Sequence, residues 1–409
     1  MNTRPSTTSN LGAHLTSEEI VAMHAQYGAN HYNTDPTFIP DHGNGVWVWD
    51  RDGRRYLDMN ATYSAIALGH GNRELADAIY QQLLRITSTQ NKYPTEVQSL
   101  LLKRICEITG QDKTILMNTG AEIVDTAVKA ARRWAYHKGV CPDSAEIISA
   151  ENNFHGRTLN AIGMSTVAEY RKDFGPFLPG YVHVPFGDCK ALNEVMGRQT
   201  AAFIVEPIQG EGGINIPPAH YLKHVRRLCD IYGVLLIFDE VQTGLGRTGK
   251  LFASEWYGVK PDAVLLGKAL GEYIAVSAMA GRKELMDVFT PGSHGSTFGG
   301  NPVACAAALK SIEMITRNDC AVVKNANVVG SYLLQQLRHA GLHARGKGLL
   351  VGVQLNPKKM TASDACHKLL ESGIIAGAAS NNVVRFSPAL IFTEADVDFA
   401  MPHLVKVLE

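Results

Sequence analysis

The chain has 409 residues, and its 39 Lys+Arg are balanced by 39 Asp+Glu, so the formal net charge is zero. That length holds two or three folded units around a large core, and 45% hydrophobic with 19% charged residues excludes a mostly disordered chain. Zero net charge leaves no global field to hold a polyanion, so no nucleic-acid partner is expected, and with no run of about 18 apolar residues no membrane span is expected either.

Residues 1–10 are rich in Ser, Thr and Asn and carry only Arg4. They lack the apolar stretch of a secretory signal and the arginines of a transit peptide, so a cytoplasmic protein is expected. Seven scattered cysteines without a C-x-x-C pair suggest neither a disulfide framework nor a zinc site, and no metal is expected. Thr16-Ser17-Glu18-Glu19 forms a capping-box pattern ahead of a helix over 20–27. A Gly/Asp-rich stretch at 41–45, the alternation Val46-Trp47-Val48-Trp49 and a turn at 50–53 predict a small β-meander.

From residue 73 the pattern changes to amphipathic helices, predicted over 75–86, 97–108 and 121–136, separated by short apolar runs. The runs 115–117, 147–148, 201–205, 234–238 and 263–266 are continuous rather than alternating, as in strands covered on both faces. A mainly parallel α/β unit follows. After Gly299-Gly300, Asn301-Pro302 is a helix opening. Helices near 323–340, 361–372 and 393–408 then interleave with strands at 349–355 and 383–386, making a smaller α/β unit.

Three consecutive buried strands end in charged residues: Glu206, Asp239-Glu240 and, after Gly267, Lys268. Ligands of open α/β sheets bind outside the carboxyl ends of the strands, so these groups are expected to face one crevice. A desolvated Lys amine forms a Schiff base with a carbonyl, and an Asp keeps a pyridine nitrogen protonated so that pyridoxal phosphate acts as an electron sink. Asn118-Thr119-Gly120-Ala121, between a strand and a long helix, offers N–H groups for a phosphate, although many strand–helix turns look alike. Ser296-Thr297-Phe298-Gly299-Gly300 suits a phosphate or an ordinary boundary turn equally. In Asn153-Phe154-His155-Gly156-Arg157-Thr158, Phe154 suits stacking on a flat cofactor and Arg157 pairing with a carboxylate. The segment 244–250 matches G-x-G-x-x-G and G-x-x-x-x-G-K. Leu251 stands where a Walker loop needs Ser or Thr, and residues 239–243 separate the strand from the turn, so both nucleotide readings fail.

The strings MNTGAE (117–122), NFHGRT (153–158), VEPIQGEGG (205–213), FDEVQTGLGRTG (238–249), LLGKAL (265–270) and GSTFGGNP (295–302) resemble the class III, fold-type I pyridoxal-phosphate aminotransferases, from about residue 27 to the C-terminus. Within that family the likeness is to the subgroup that transfers the δ-amine of ornithine to 2-oxoglutarate. The resemblance implies a large cofactor-binding domain over 58–299 and a small domain made from an N-terminal segment, 1–57, and the C-terminal 300–409. It also implies a homodimer with shared active sites. It casts Lys268 as the Schiff-base lysine, Asp239 as the partner of the pyridine nitrogen, Gln242 as the group near the ring hydroxyl and Phe154 as the stacking ring. Gly120 and Ala121 become phosphate donors, with Ser296 beside them and Thr297 supplied by the neighbouring subunit. Arg157 resembles the carboxylate-binding arginine, Glu211 and Arg385 a pair that parts for the second substrate, and Tyr32 and Tyr63 the substrate-pocket tyrosines.

Two departures stand out. After Lys268-Ala269-Leu270 the family's Ser-Gly-Gly run is replaced by Gly271-Glu272-Tyr273-Ile274-Ala275, one residue shorter, and Ile123 and Asp125 replace the usual small and Glu residues. Other donors of the class (acetylornithine, GABA, lysine or a diamine), an isomerase or racemase of the same fold, and a catalytically silent relative remain as alternatives.

Overall fold

The computed structural model describes residues 15–409, so the reading of residues 1–10 lies outside the described residues. The expected N-terminal helix spans Ser17–Tyr27 and starts at the capping box of Thr16 and Glu19. The meander follows as β1 (Pro40–Asn44), β2 (Trp47–Asp50) and β3 (Arg55–Asp58), paired antiparallel. The Gly/Asp-rich stretch read from sequence is therefore largely strand β1. In β2 the valine side is covered, Val48 being buried while Trp47 and Trp49 are half-buried.

Seven strands build the central sheet: β4 (Lys113–Met117), β5 (Glu146–Ala150), β6 (Tyr181–Val184), β7 (Thr200–Val205), β8 (Leu235–Asp239), β9 (Ala263–Leu266) and β10 (Ser277–Gly281). Their order is β4-β10-β9-β8-β7-β5-β6. All neighbours run parallel except β10, which is antiparallel to both β4 and β9. Every residue of β7, β8 and β9 is buried, as their unbroken apolar runs require. Helix Gly120–His137 covers one face with Ile123, Val124, Ala127, Val128, Ala131 and Trp134 at helical spacing. Asn301 caps the next long helix, Pro302–His339, accepting from the Ala304 N–H at 2.9 Å. The helical path is interrupted at residues 317–320, where Asn318, Asp319 and Cys320 have positive φ, so the expected helix near 323–340 is the continuation of one that begins at 302.

The C-terminal part adds β11 (Ala344–Lys347), β12 (Leu350–Gln354), β13 (Ile374–Ile375), β14 (Gly377–Ala379) and β15 (Val383–Phe386). Four of them form an antiparallel sheet in the order β11-β12-β15-β14. The fifth, β13, pairs parallel with β3, which joins the two ends of the chain in one sheet. Among the described residues no helix is long and apolar enough to cross a membrane, and no group of three metal-ligating side chains occurs. All seven cysteines are free thiols.

Candidate active site

Because β7, β8 and β9 are adjacent and parallel, their carboxyl ends bring Glu206, Asp239 and Lys268 to one crevice. They line a cavity of about 210 Å³ that runs from Gly120 and Ala121, past Phe154, to Gln242 and Lys268. A larger groove, about 840 Å³, lies between residues 33–38 and the helix Ala362–Glu371 and contains none of the strand-end groups. Lys268 leaves β9 through Gly267 with φ +46° and opens a short 3₁₀ turn, Lys268–Leu270. Burial, then the positive charge of Arg385, lower its pKa to about 8 against the pull of Asp239, Glu211 and Glu206. An amine so depressed has a substantial neutral, nucleophilic fraction at neutral pH.

Asp239 is 4% exposed. One carboxylate oxygen accepts from the Val241 N–H at 3.1 Å, and the other lies 2.7 Å from Nδ1 of the buried His155. Burial works against the imidazolium, but the hydrogen bond and charge of Asp239, with Glu206 behind it, lift the His155 pKa above its ordinary value. Glu206 accepts from the N–H groups of Phe154 and Gly210, both at 3.2 Å, and burial pushes its pKa up to about 7. The pair Asp239–His155 was not foreseen as a unit. Its sequence signal was an imidazole between the stacking Phe154 and Arg157, 84 positions from its partner.

At the other end of the cavity Thr119 caps the helix, its hydroxyl accepting from the Glu122 N–H at 3.2 Å. Glu122 folds back onto the N–H groups of Asn118 and Thr119. Gly120 and Ala121 therefore hold the first free N–H groups of the helix, aimed where an anion is favoured. The departure at Asp125 has a local use: it accepts from Thr158 at 3.1 Å and Asn160 at 2.7 Å, tying the residues after Arg157 to the same helix. Gln242 donates to the Tyr63 carbonyl at 3.2 Å. A Cβ at Gly210 would fall 1.6 Å from the Gln242 side-chain oxygen, so only glycine leaves Gln242 this position.

Glu211 and Arg385 form the expected pair, 2.6 Å apart, with the Arg385 side chain fully buried. Two further Arg385 nitrogens, Nε and Nη2, have no hydrogen-bond partner among the described residues, a donor set ready for a carboxylate. The Tyr63 ring lies 5.4 Å from its guanidinium. Arg157 is exposed and stacks on Tyr170 at 3.6 Å, with Phe154 at 5.6 Å. Ser296 is bonded by Asn118 at 3.0 Å, next to the helix start. Thr297 is exposed and Tyr32 is 65% exposed, and neither lines the cavity of the single chain.

A half-buried lysine and a buried carboxylate lining one cavity with an aromatic ring and a helix start suit pyridoxal 5′-phosphate. The amine matches its aldehyde, the carboxylate its ring nitrogen, and the two orphan N–H groups its phosphate. That donor set and the mainly parallel sheet define a fold-type I pyridoxal-phosphate enzyme.

The sequence profile of the family Aminotransferase class-III matches residues 27–408. The chain is 44% identical over 399 residues to Ornithine aminotransferase 2 of Staphylococcus aureus, covering 96% of this chain and 99% of that one. A Toxoplasma gondii ornithine aminotransferase, solved with partial occupancy of the cofactor at its active site, superposes with a TM-score of 0.92 at 38% identity, covering 96% and 94% of the two chains. An acetylornithine aminotransferase from Elizabethkingia anophelis gives 0.85 at 35% identity, covering 96% and 98%. The chain belongs to the class III aminotransferases and is a pyridoxal-phosphate-dependent transaminase.

Proposed function

We propose that the chain transfers the δ-amino group of L-ornithine to 2-oxoglutarate, giving glutamate 5-semialdehyde and glutamate. The observation that carries this reading is the Glu211–Arg385 pair at 2.6 Å, whose charge also acts on Lys268. Ornithine has two reactive amines. An arginine free beside the lysine would hold the α-carboxylate close and offer the wrong one; neutralised by Glu211, Arg385 leaves that task to Arg157. When the second substrate arrives, Glu211 swings away and both arginines bind the two carboxylates of the acceptor. Ornithine as the substrate is supported by the likeness to the S. aureus Ornithine aminotransferase 2.

Bound pyridoxal 5′-phosphate supplies an aldehyde and an electron-accepting pyridinium ring. Gly120, Ala121 and Ser296 would hold its phosphate, Phe154 would cover the ring, Gln242 would meet the ring hydroxyl and Asp239, oriented by His155, would keep the ring nitrogen charged. Lys268 Nζ takes and returns the proton at the reacting carbon. Tyr32 is assigned to the α-ammonium by family resemblance.

We further assign residues 1–57, of which 1–14 lie outside the described residues, and 300–409 to one small domain and 58–299 to the cofactor domain, which the β3–β13 pairing supports. The working unit in this reading is a cytoplasmic homodimer in which Thr297 serves the neighbour's phosphate. Asn91 and Gln98 bond the backbone at Ser296 and Gly300, tying residues 91–98 to the loop that carries Thr297, where the neighbouring Phe298 is an exposed apolar side chain suited to a second copy. Product analysis tests the substrate. Ornithine with 2-oxoglutarate should yield the semialdehyde, which cyclises to pyrroline-5-carboxylate. The 2-oxo acid of ornithine, or use of acetylornithine alone, would refute the assignment.

A further inference from the structure

Glu272, one of the residues that replace the family's usual run after Lys268, is only 8% exposed and has φ +53°. A non-glycine residue held in the left-handed region is strained, and such strain persists only where the surroundings impose it. Its N–H donates to the Lys268 carbonyl at 3.2 Å. One carboxyl oxygen accepts from the N–H groups of Ala67 at 2.8 Å and Leu68 at 3.2 Å, while the other, Oε1, has no partner among the described residues. Burial pushes its pKa up to about 8, opposed by those two N–H groups and by the charge of Arg247, another fully buried side chain. The adjacent Tyr273 hydroxyl grips the same strand of chain, donating to the Gly69 carbonyl at 2.6 Å and accepting from the Asn72 N–H at 2.9 Å.

What Glu272 holds is itself strained. Ala61, Thr62, Tyr63 and Ser64 are four consecutive non-glycine residues with positive φ. Asp58 fixes the start of this segment through the N–H groups of Asn60 and Ala61, and Gln242 holds its middle at the Tyr63 carbonyl. Glu272 closes its far end. Tyr63, inside the segment, carries the ring that lies 5.4 Å from the Arg385 guanidinium.

We propose that Glu272 is a positioning residue that clamps residues 61–68 to the lysine turn and so keeps Tyr63 over Arg385, setting how well the site binds a dicarboxylate acceptor. This rests on the reading of Arg385 as the acceptor's carboxylate anchor.

The test uses the holoenzyme with glutarate, a dicarboxylate that cannot react. Glu272→Gly removes the carboxyl and relieves the left-handed strain, so the backbone itself is not penalised. Glu272→Gln keeps an oxygen for the two N–H groups. We expect Glu272→Gly to weaken glutarate binding by calorimetry about tenfold and to raise KM for 2-oxoglutarate similarly. The rate of the amino-donor half-reaction should change less than about twofold, and the amides of 61–68 should lose hydrogen-exchange protection. Glu272→Gln should recover most of the binding. Wild-type affinity and protection in Glu272→Gly, or a Gln variant as impaired as the Gly variant, would overturn the clamp, as would a wild type that binds no glutarate. A wild type that binds glutarate but does not transaminate 2-oxoglutarate refutes the acceptor assignment alone, and the variants' glutarate affinities then decide the clamp.

Discussion

Replacing Glu211 with Ala removes the only side-chain hydrogen-bond partner that Arg385 has among the described residues, where its fully buried guanidinium already has two unpartnered nitrogens. Breaking a buried pair by deleting one member costs about 3–5 kcal/mol. Here the Glu211 side chain keeps 24% of its surface exposed, so water can reach the gap, and we expect about 1.5–3 kcal/mol, the value of one hydrogen bond to a charged group. Urea unfolding at fixed protein concentration measures the loss. Glutarate should reverse it, because a ligand at one hundred times its Kd adds about 2.7 kcal/mol to the folded state. The unpaired Arg385 should also draw glutamate-like donors, shifting the kcat/KM ratio of glutamate to ornithine about tenfold upward. A Glu211→Ala protein as stable as wild type without glutarate, together with an unchanged donor ratio, would refute the gating role.

Asp239→Asn keeps one oxygen, for the Val241 N–H, but sets an amide NH2 against His155 and loses the charge, so the protein should fold while turnover falls by about three orders of magnitude; steady-state rates with 2-oxoglutarate measure it. For Lys268, burial and Arg385 hold the amine at about 8 rather than 10.5. Its neutral, nucleophilic form therefore grows as pH rises through about 8, and cofactor uptake by the stripped protein, followed by absorbance, should rise with that midpoint; one near 10.5 would contradict the burial. Borohydride should then fix the cofactor on Lys268 and on no other lysine. Mixing inactive Lys268→Ala with Thr297→Ala subunits should restore part of the activity through hybrid dimers, and no recovery after demonstrated subunit exchange would place each phosphate site within one subunit.

The main features of the large sheet were legible because its strands are covered on both faces and so read as unbroken apolar runs. Helix starts were legible where a side chain caps them, as at Thr16, Thr119 and Asn301. Strand β10 escaped because Ser-Ala-Met-Ala-Gly has little apolar bulk, and its place between β4 and β9 comes from packing. β13 is two residues long and exists because β3 is there to pair with it. Neither carries a local signal that propensity alone reveals.

The site divides in the same way. Lys268, Asp239 and Glu206 were readable together because each closes a strand, and parallel neighbours bring strand ends to one edge. Partners separated in sequence were not readable from pattern: His155 reaches Asp239 across 84 positions, and Glu272 reaches Ala67 across 205. The turn after Lys268 stands out in the sequence as a departure from the family's pattern. In the fold the shorter turn is held from outside, by Glu272 on Ala67 and Leu68 and by Tyr273 on Gly69 and Asn72. A glycine-rich turn reaches its shape through backbone freedom, whereas this one reaches it through side-chain bonds to the segment that carries Tyr63. Lysine turn and acceptor pocket are thereby mechanically joined, and a substitution in the turn is expected to be felt at the acceptor pocket.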